Sequence, residues 1–142
     1  MSVPSLLLKF LRELCVYNVL LVEDDSAIRE AFAMILNLGD KYTVTTAENG
    51  QIALDLCKEN YYDLILLDIM MPILDGIGFL KEYTTNYDDV AKVIIMSNLS
   101  SGSELSLVQD YGVERAILKS SLTPTKLLEI VDETLGSKPA TT

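Results

Sequence analysis

The stretch Tyr62–Gly76, YDLILLDIMMPILDG, sets a carboxylate, Asp68, directly after an unbroken apolar run and just ahead of a turn carrying Pro72 and Gly76. Leu64–Leu67 shows no alternation of apolar and polar residues. A strand with one face in water alternates, so an unbroken run predicts a strand covered on both faces, as in a parallel sheet between helices. In open sheets of that kind, ligands bind outside the carboxyl ends of the strands, where strand order reverses. Asp68 stands at such an end. Taken alone, that position is explained as well by capping of the next helix, so the other strand ends must decide.

Asn18–Val22 (NVLLV) is a second unbroken run, and it meets three acids, Glu23, Asp24 and Asp25, before a helical pattern through Ile28, Ala31, Phe32 and Ile35. Asp25 or Ser26 serves as N-cap for that helix, which leaves Glu23 and Asp24 without a structural task. Tyr42–Thr46 alternates and is β-branched, and Asn49-Gly50 then opens a helix expected to turn Ile52, Ala53, Leu56 and Cys57 inward. Asp75-Gly76 starts a third helix through Ile77, Leu80 and Tyr83. Lys92–Met96 is a further buried strand running into Ser97-Asn98, followed by a weaker helix over Ser103–Tyr111 that Gly112 closes. Arg115–Leu118 is the fifth strand and ends in Lys119. Thr123-Pro124 then supplies an N-cap and first helical residue for a last helix using Leu127, Leu128, Val131 and Leu135.

Ahead of this alternation, residues 5–16 place Leu7, Leu11 and Leu14 on one helical face, widened by Leu6 and Phe10. That face should pack on protein, either its own domain, a partner or a second copy in a homodimer. With only Lys9 and Arg12 to meet lipid phosphates, membrane adsorption is disfavoured. The domain plan is a helical extension over 1–16, one α/β domain over 17–137 and a disordered tail over 138–142, which leaves no room for a fused DNA-binding module of usual size.

Charge and composition narrow the function. Eleven Lys and Arg against 21 Asp and Glu give a net charge of −10, so direct nucleic-acid binding is disfavoured and cations or basic partner surfaces are favoured. The chain has two cysteines, Cys15 and Cys57, without metal-ligand spacing, and no histidine, which excludes zinc chemistry and histidine acid–base catalysis together. No apolar run approaches the roughly 18–20 residues of a bilayer span. The start of the chain lacks a secretory cleavage pattern, and a reducing cytoplasm is the expected compartment.

Glu23, Asp24, Asp68, Ser97 and Lys119 thus fall at four strand ends around one crevice. Crowded carboxylates repel unless a cation neutralises them, and hard oxygen ligands suit Mg²⁺, with Mn²⁺ able to substitute. A carboxylate such as Asp68 can act as a nucleophile toward phosphorus, while an ammonium and a hydroxyl offset charge on the phosphoryl oxygens. Lys119 and Ser97 supply those two groups.

From about Asn18 to Leu135 the chain resembles the response-regulator receiver domain of two-component signalling, the CheY-like superfamily. VEDD looks like the family's acidic pair, DIMMPILDG like its phosphoacceptor and following loop, IIMSN like its Ser/Thr-bearing fourth strand and ILKS like its lysine-bearing fifth. The resemblance implies a flavodoxin-like (βα)5 fold, a doubly wound parallel sheet of strand order 2-1-3-4-5. It implies phosphorylation of Asp68, with Mg²⁺ held by Asp24, Asp68 and the main-chain carbonyl of Met70, and with Glu23 acting largely through metal-bound water. The phosphoryl donor would be a sensor histidine kinase or histidine phosphotransfer protein, the output a contact with a downstream protein, and the domain not a turnover enzyme. An alternative is a receiver-fold scaffold whose output is uncoupled from phosphorylation. A phosphatase acting on outside substrates would want a second acid two residues after the nucleophile, where Met70 stands.

Two positions depart from the family pattern. Ser120 replaces the usual proline after the lysine, and since a cis non-proline peptide costs about 3–4 kcal/mol a trans bond is expected. Ala116 replaces the usual Tyr or Phe three residues before the lysine, so the aromatic switch is absent. Met70 and Leu99, which in the family flank the path of the hydrolytic water, cannot orient that water strongly, and a long-lived aspartyl phosphate is expected.

Overall fold

The computed structural model describes residues 3–7, 16–98, 106 and 108–136. Its sheet consists of β1 (Tyr17–Val22), β2 (Tyr42–Ala47), β3 (Leu64–Asp68), β4 (Lys92–Ser97) and β5 (Arg115–Leu118). All pairings are parallel and the order is β2-β1-β3-β4-β5, as expected. β1 begins one residue earlier than expected, at Tyr17, and β2 and β4 end one residue later, at Ala47 and Ser97, because strand pairing includes these residues. The helices are α1 (Ser26–Asn37), α2 (Gly50–Glu59), α3 (Gly76–Asn86) and α4 (Pro124–Val131).

The unbroken strands are buried on both faces, and successive residues feed opposite layers. Leu20, Val22, Ile65, Leu67, Val93 and Ile95 pack with Ala53, Leu54 and Cys57 of α2 and Phe79, Leu80 and Tyr83 of α3. Val19, Leu21, Leu64, Leu66, Ile94 and Met96 pack with Leu36 of α1 and Leu127, Ile130 and Val131 of α4. Each such side chain contributes about 1.5–3 kcal/mol by burial, and these two layers hold the strand ends in place.

Side-chain caps fix where the helices start. The carboxylate of Asp25 accepts from Ile28 N at 3.0 Å, Asn49 Oδ1 from Ile52 N at 2.9 Å, Asp75 Oδ1 from Gly78 N at 2.8 Å and Thr123 Oγ1 from Lys126 N at 3.1 Å. Asp25, rather than Ser26, caps α1 and is thereby separated in task from Glu23 and Asp24. The β3–α3 connection is set by close approach. A Cβ on Gly76 would lie 2.4 Å from the main-chain oxygen of Asp68 and 2.8 Å from Ile69 Cα, so only glycine lets α3 begin against the end of β3.

The inward helix faces differ in detail from the sequence reading. On α2, Ile52 is turned out and Leu54 is buried with Ala53 and Cys57, a stripe rotated by about one position. On α1, Ala31 is exposed and Ile28, Phe32 and Ile35 are half-buried, while Leu36 fills the core. α3 buries Phe79 where Ile77 had been expected, and α4 buries Ile130 while Leu128 is half-buried; Leu135, also half-buried, lies beyond α4 in the π-helical segment Asp132–Gly136. Residues 103–105 and 107 of the expected helix Ser103–Tyr111 lie outside the described residues; Val108 is buried and Gly112, at φ +71°, closes the segment in the left-handed region. Most of the expected N-terminal helix, together with Cys15 and the tail, also lies outside them. Leu6 and Leu7, within the described residues 5–7, are exposed.

Candidate functional site

The register carries the strand ends to one rim. Val22 pairs with Leu67, Asp68 with Met96 and Ser97 with Leu118, so the residues that follow β1 and β5 flank the last residues of β3 and β4. Carboxylate oxygens of Glu23, Asp24 and Asp68 lie within 4.8 Å of one another. Glu23 is fully buried, Asp68 and Ser97 are nearly so, and Asp24 faces solvent. Lys119 extends from the end of β5 across the rim, its side chain 8% exposed, with Nζ 2.5 Å from Glu23 Oε1 and 3.1 Å from Asp68 Oδ2. No cis peptide occurs among the described residues, and Ser120 sits in a short 3₁₀ turn, Lys119–Ser121, closed by Leu122 N donating to Lys119 O at 3.1 Å. Lys119 therefore reaches both acids with serine in the position next to it. Ala116 lies exposed on the edge strand β5.

Three carboxylates face one ammonium at this rim, which leaves an excess of negative charge in a partly dry site where Coulomb energies are large. Burial pushes the Glu23 carboxyl up to about 7, opposed by its ion pair with Lys119 and its hydrogen bond from Asp25 N and reinforced by the Asp68 charge. Burial works against the Lys119 ammonium, but Glu23 and Asp68 outweigh it and hold its pKa above the ordinary lysine value. Asp25 N donates to Glu23 Oε2 at 3.1 Å, while Oε1, though paired ionically with Lys119, has no hydrogen bond of acceptable geometry. A buried carboxylate oxygen in that condition, beside two further acids, fits a hard divalent cation such as Mg²⁺. Met70 follows in the β3–α3 turn with its side chain exposed, at a cleft of about 410 Å³ that Asp24, Met71 and Asp75 also line.

Arg29 was not singled out from the sequence. Its Nη1 donates to the main-chain oxygens of Glu23, at 2.8 Å, and Asp24, at 3.3 Å. The available signal was a basic residue near the start of a helix, where the helix dipole favours acids.

The model of the response regulator receiver domain matches residues 19–132. The chain belongs to that family. Among curated relatives of this receiver, the response regulator MprA of Mycobacterium sp. (strain KMS) is 34% identical over 97 residues, 68% of this chain and 41% of the relative. The transcriptional regulatory protein YdfI of Bacillus subtilis is 29% identical over 109 residues, 76% of this chain and 50% of the relative. The chain thus spans half or less of the length of these two proteins. Among solved structures, a CheY-like receiver domain protein from Methanospirillum hungatei superposes with a TM-score of 0.77 at 26% identity, covering 85% of this chain and 94% of that one. The response regulator TrrA of Thermotoga maritima, solved in complex with Mg²⁺-BeF, gives a TM-score of 0.72 at 31% identity, covering 84% of this chain and all of that one. No helix among the described residues of the receiver is long and apolar enough to cross a membrane.

Proposed function

We propose that this receiver takes a phosphoryl group onto Asp68 in a Mg²⁺-dependent reaction, from a histidine kinase or histidine phosphotransfer protein, and signals in the cytoplasm through contacts with a downstream protein. The observation that carries this reading is Lys119 bridging Glu23 and Asp68 at the junction of three carboxylates. Asp24, Asp68 and the main-chain carbonyl of Met70 would hold the cation, with Glu23 acting through water. When bound, the cation neutralises the acids and the incoming phosphoryl oxygens. A carboxylate oxygen of Asp68 attacks phosphorus as the bond to the donor nitrogen breaks. Lys119, already beside Asp68, leaves one ion-pair partner to meet a phosphoryl oxygen, and the Ser97 hydroxyl donates to another. The receiver performs no turnover on outside substrates, since Met70 stands where a second acid would be needed.

Incubation with acetyl phosphate and Mg²⁺ followed by intact mass measurement tests the reading, and no phosphate mass on the parent protein would overturn it. The exposed Ala116 favours a second reading for the output alone, in which phosphate uptake leaves partner binding unchanged. Comparing partner capture by phosphorylated and unphosphorylated protein separates the two.

A further inference from the structure

The geometry points to Arg29 as a positioning residue that fixes the Glu23–Asp24 turn for metal binding. This inference rests on the proposed metal site and adds to it a group that touches neither metal nor phosphate. One guanidinium nitrogen donates to two consecutive main-chain carbonyls, those of both residues in the acidic pair. The rest of the turn is pinned from the other side: Asp25 caps α1 through Ile28 N, Asp25 N holds Glu23 Oε2 at 3.1 Å, and Arg29 N donates to Asp25 O at 2.9 Å. Arg29 therefore starts from the first turn of α1 and reaches back over the helix N-terminus, the direction in which helical side chains lean. A cation there opposes the helix dipole, and the Asp25 carboxylate at the N-cap offsets it. What the guanidinium finds in this place is the two main-chain acceptors, and bonding them fixes the path beneath Asp24. Glu23 is also gripped by Lys119, whereas the solvent-facing Asp24 has its orientation set by that path alone.

Charge and geometry make opposite predictions. Removing a positive charge near a cation site should tighten Mg²⁺ binding by Coulomb's law. Loosening the turn should weaken it, and outer groups that orient metal ligands typically govern about tenfold or more in affinity. Calorimetric Mg²⁺ titrations of the parent, Arg29→Ala, Arg29→Lys and Asp24→Ala proteins, with metal-free melting curves of each, decide between them. The expected result is about tenfold weaker binding for Arg29→Ala, with only partial rescue by Arg29→Lys, because an ammonium keeps the charge and can donate but ends a more flexible side chain that places its donors less firmly. Unchanged or tighter binding by folded Arg29→Ala overturns the inference, as does a lowered melting temperature with parental Mg²⁺ affinity. If Arg29→Ala does not fold, Arg29→Lys decides on the same criterion. A parent that binds no Mg²⁺, or an Asp24→Ala protein that binds like the parent, overturns the metal site itself and the inference with it.

Discussion

The ends of β1 and β3 and the end of β5 meet at Lys119 but are built by different rules. β3 is buried along its whole length and paired on both sides, while β5 has one neighbour and exposes Arg115, Ala116 and Leu118. On the first side, Glu23, Asp24 and Asp68 are held by core strands, a helix cap and an arginine. On the second, a single side chain reaches inward from an edge. Both departures from the family pattern, Ala116 and Ser120, fall on the edge side, where a change disturbs little packing. Residues that do chemistry on charged oxygens need fixed geometry, and residues that present a surface do not. The proposed phosphate uptake and output would therefore be separable in this receiver, and each variant below either divides them further or joins them.

The largest effect is expected at Asp68. Asp68→Asn should gain no phosphate mass from acetyl phosphate and Mg²⁺, and any mass gain would place the acceptor elsewhere. Next, Asp24→Ala should weaken Mg²⁺ binding at least about tenfold, whereas Asp25→Ala should leave it near parental and lower fold stability by about 1 kcal/mol through loss of the α1 cap. Equal losses in the two titrations would show that the acid side is not divided as described.

A third variant addresses the mouth of the site. Met70 is exposed beside Asp24 and its thioether orients water poorly, so the phosphorylated parent should decay more slowly than Met70→Asn/Leu99→Glu once donor is removed. Decay of the parent at the same rate or faster would remove Met70 from the reaction side of the comparison. Leu99 lies outside the described residues, so its part in this test rests on the family pattern.

Alkaline stability tests how closed the buried side is. Burial pushes the Cys57 thiol up to about 11 from 9.0, so the folded state keeps a proton that the unfolded chain loses. That contribution is fully present below pH 9 and is lost as pH rises through 11, amounting to at most about 2–3 kcal/mol. Cys57→Ala should flatten this part of the pH–stability curve, and an unchanged slope would mean that Cys57 is open to solvent. The smallest effect is expected from Ala116→Tyr. An exposed substitution on the edge strand should change stability by less than about 0.5 kcal/mol and leave phosphate uptake as it was. A marked change in uptake would join the two sides.

The legibility of the sequence follows the same divide. β1, β3 and β4 stood out because burial on both faces removes alternation, and the helix starts stood out at Asn49, Asp75 and Thr123, whereas Asp25 and Ser26 were equally eligible to cap α1. Strand ends then placed the acids, Ser97 and Lys119 together, since parallel connections bring all carboxyl ends to one rim. The rotation of α1 and α2, which buries Leu36 and Leu54 in place of Ala31 and Ile52, is set by the sheet beneath them and leaves no local mark. Arg29 escaped notice for another reason. It acts on main-chain oxygens, and every residue has one, so no motif advertises the acceptor.

Gly76 has no functional group, yet the main-chain oxygen of Asp68, the proposed phosphoacceptor, lies where its side chain would begin. Even alanine there must displace either the start of α3 or the end of β3 that carries Asp68. In a random-substitution screen scored by phosphate uptake, position 76 should therefore fail for nearly every replacement, as steeply as the nucleophile itself. Such a screen would draw the outline of the reacting group one turn wider than its chemistry.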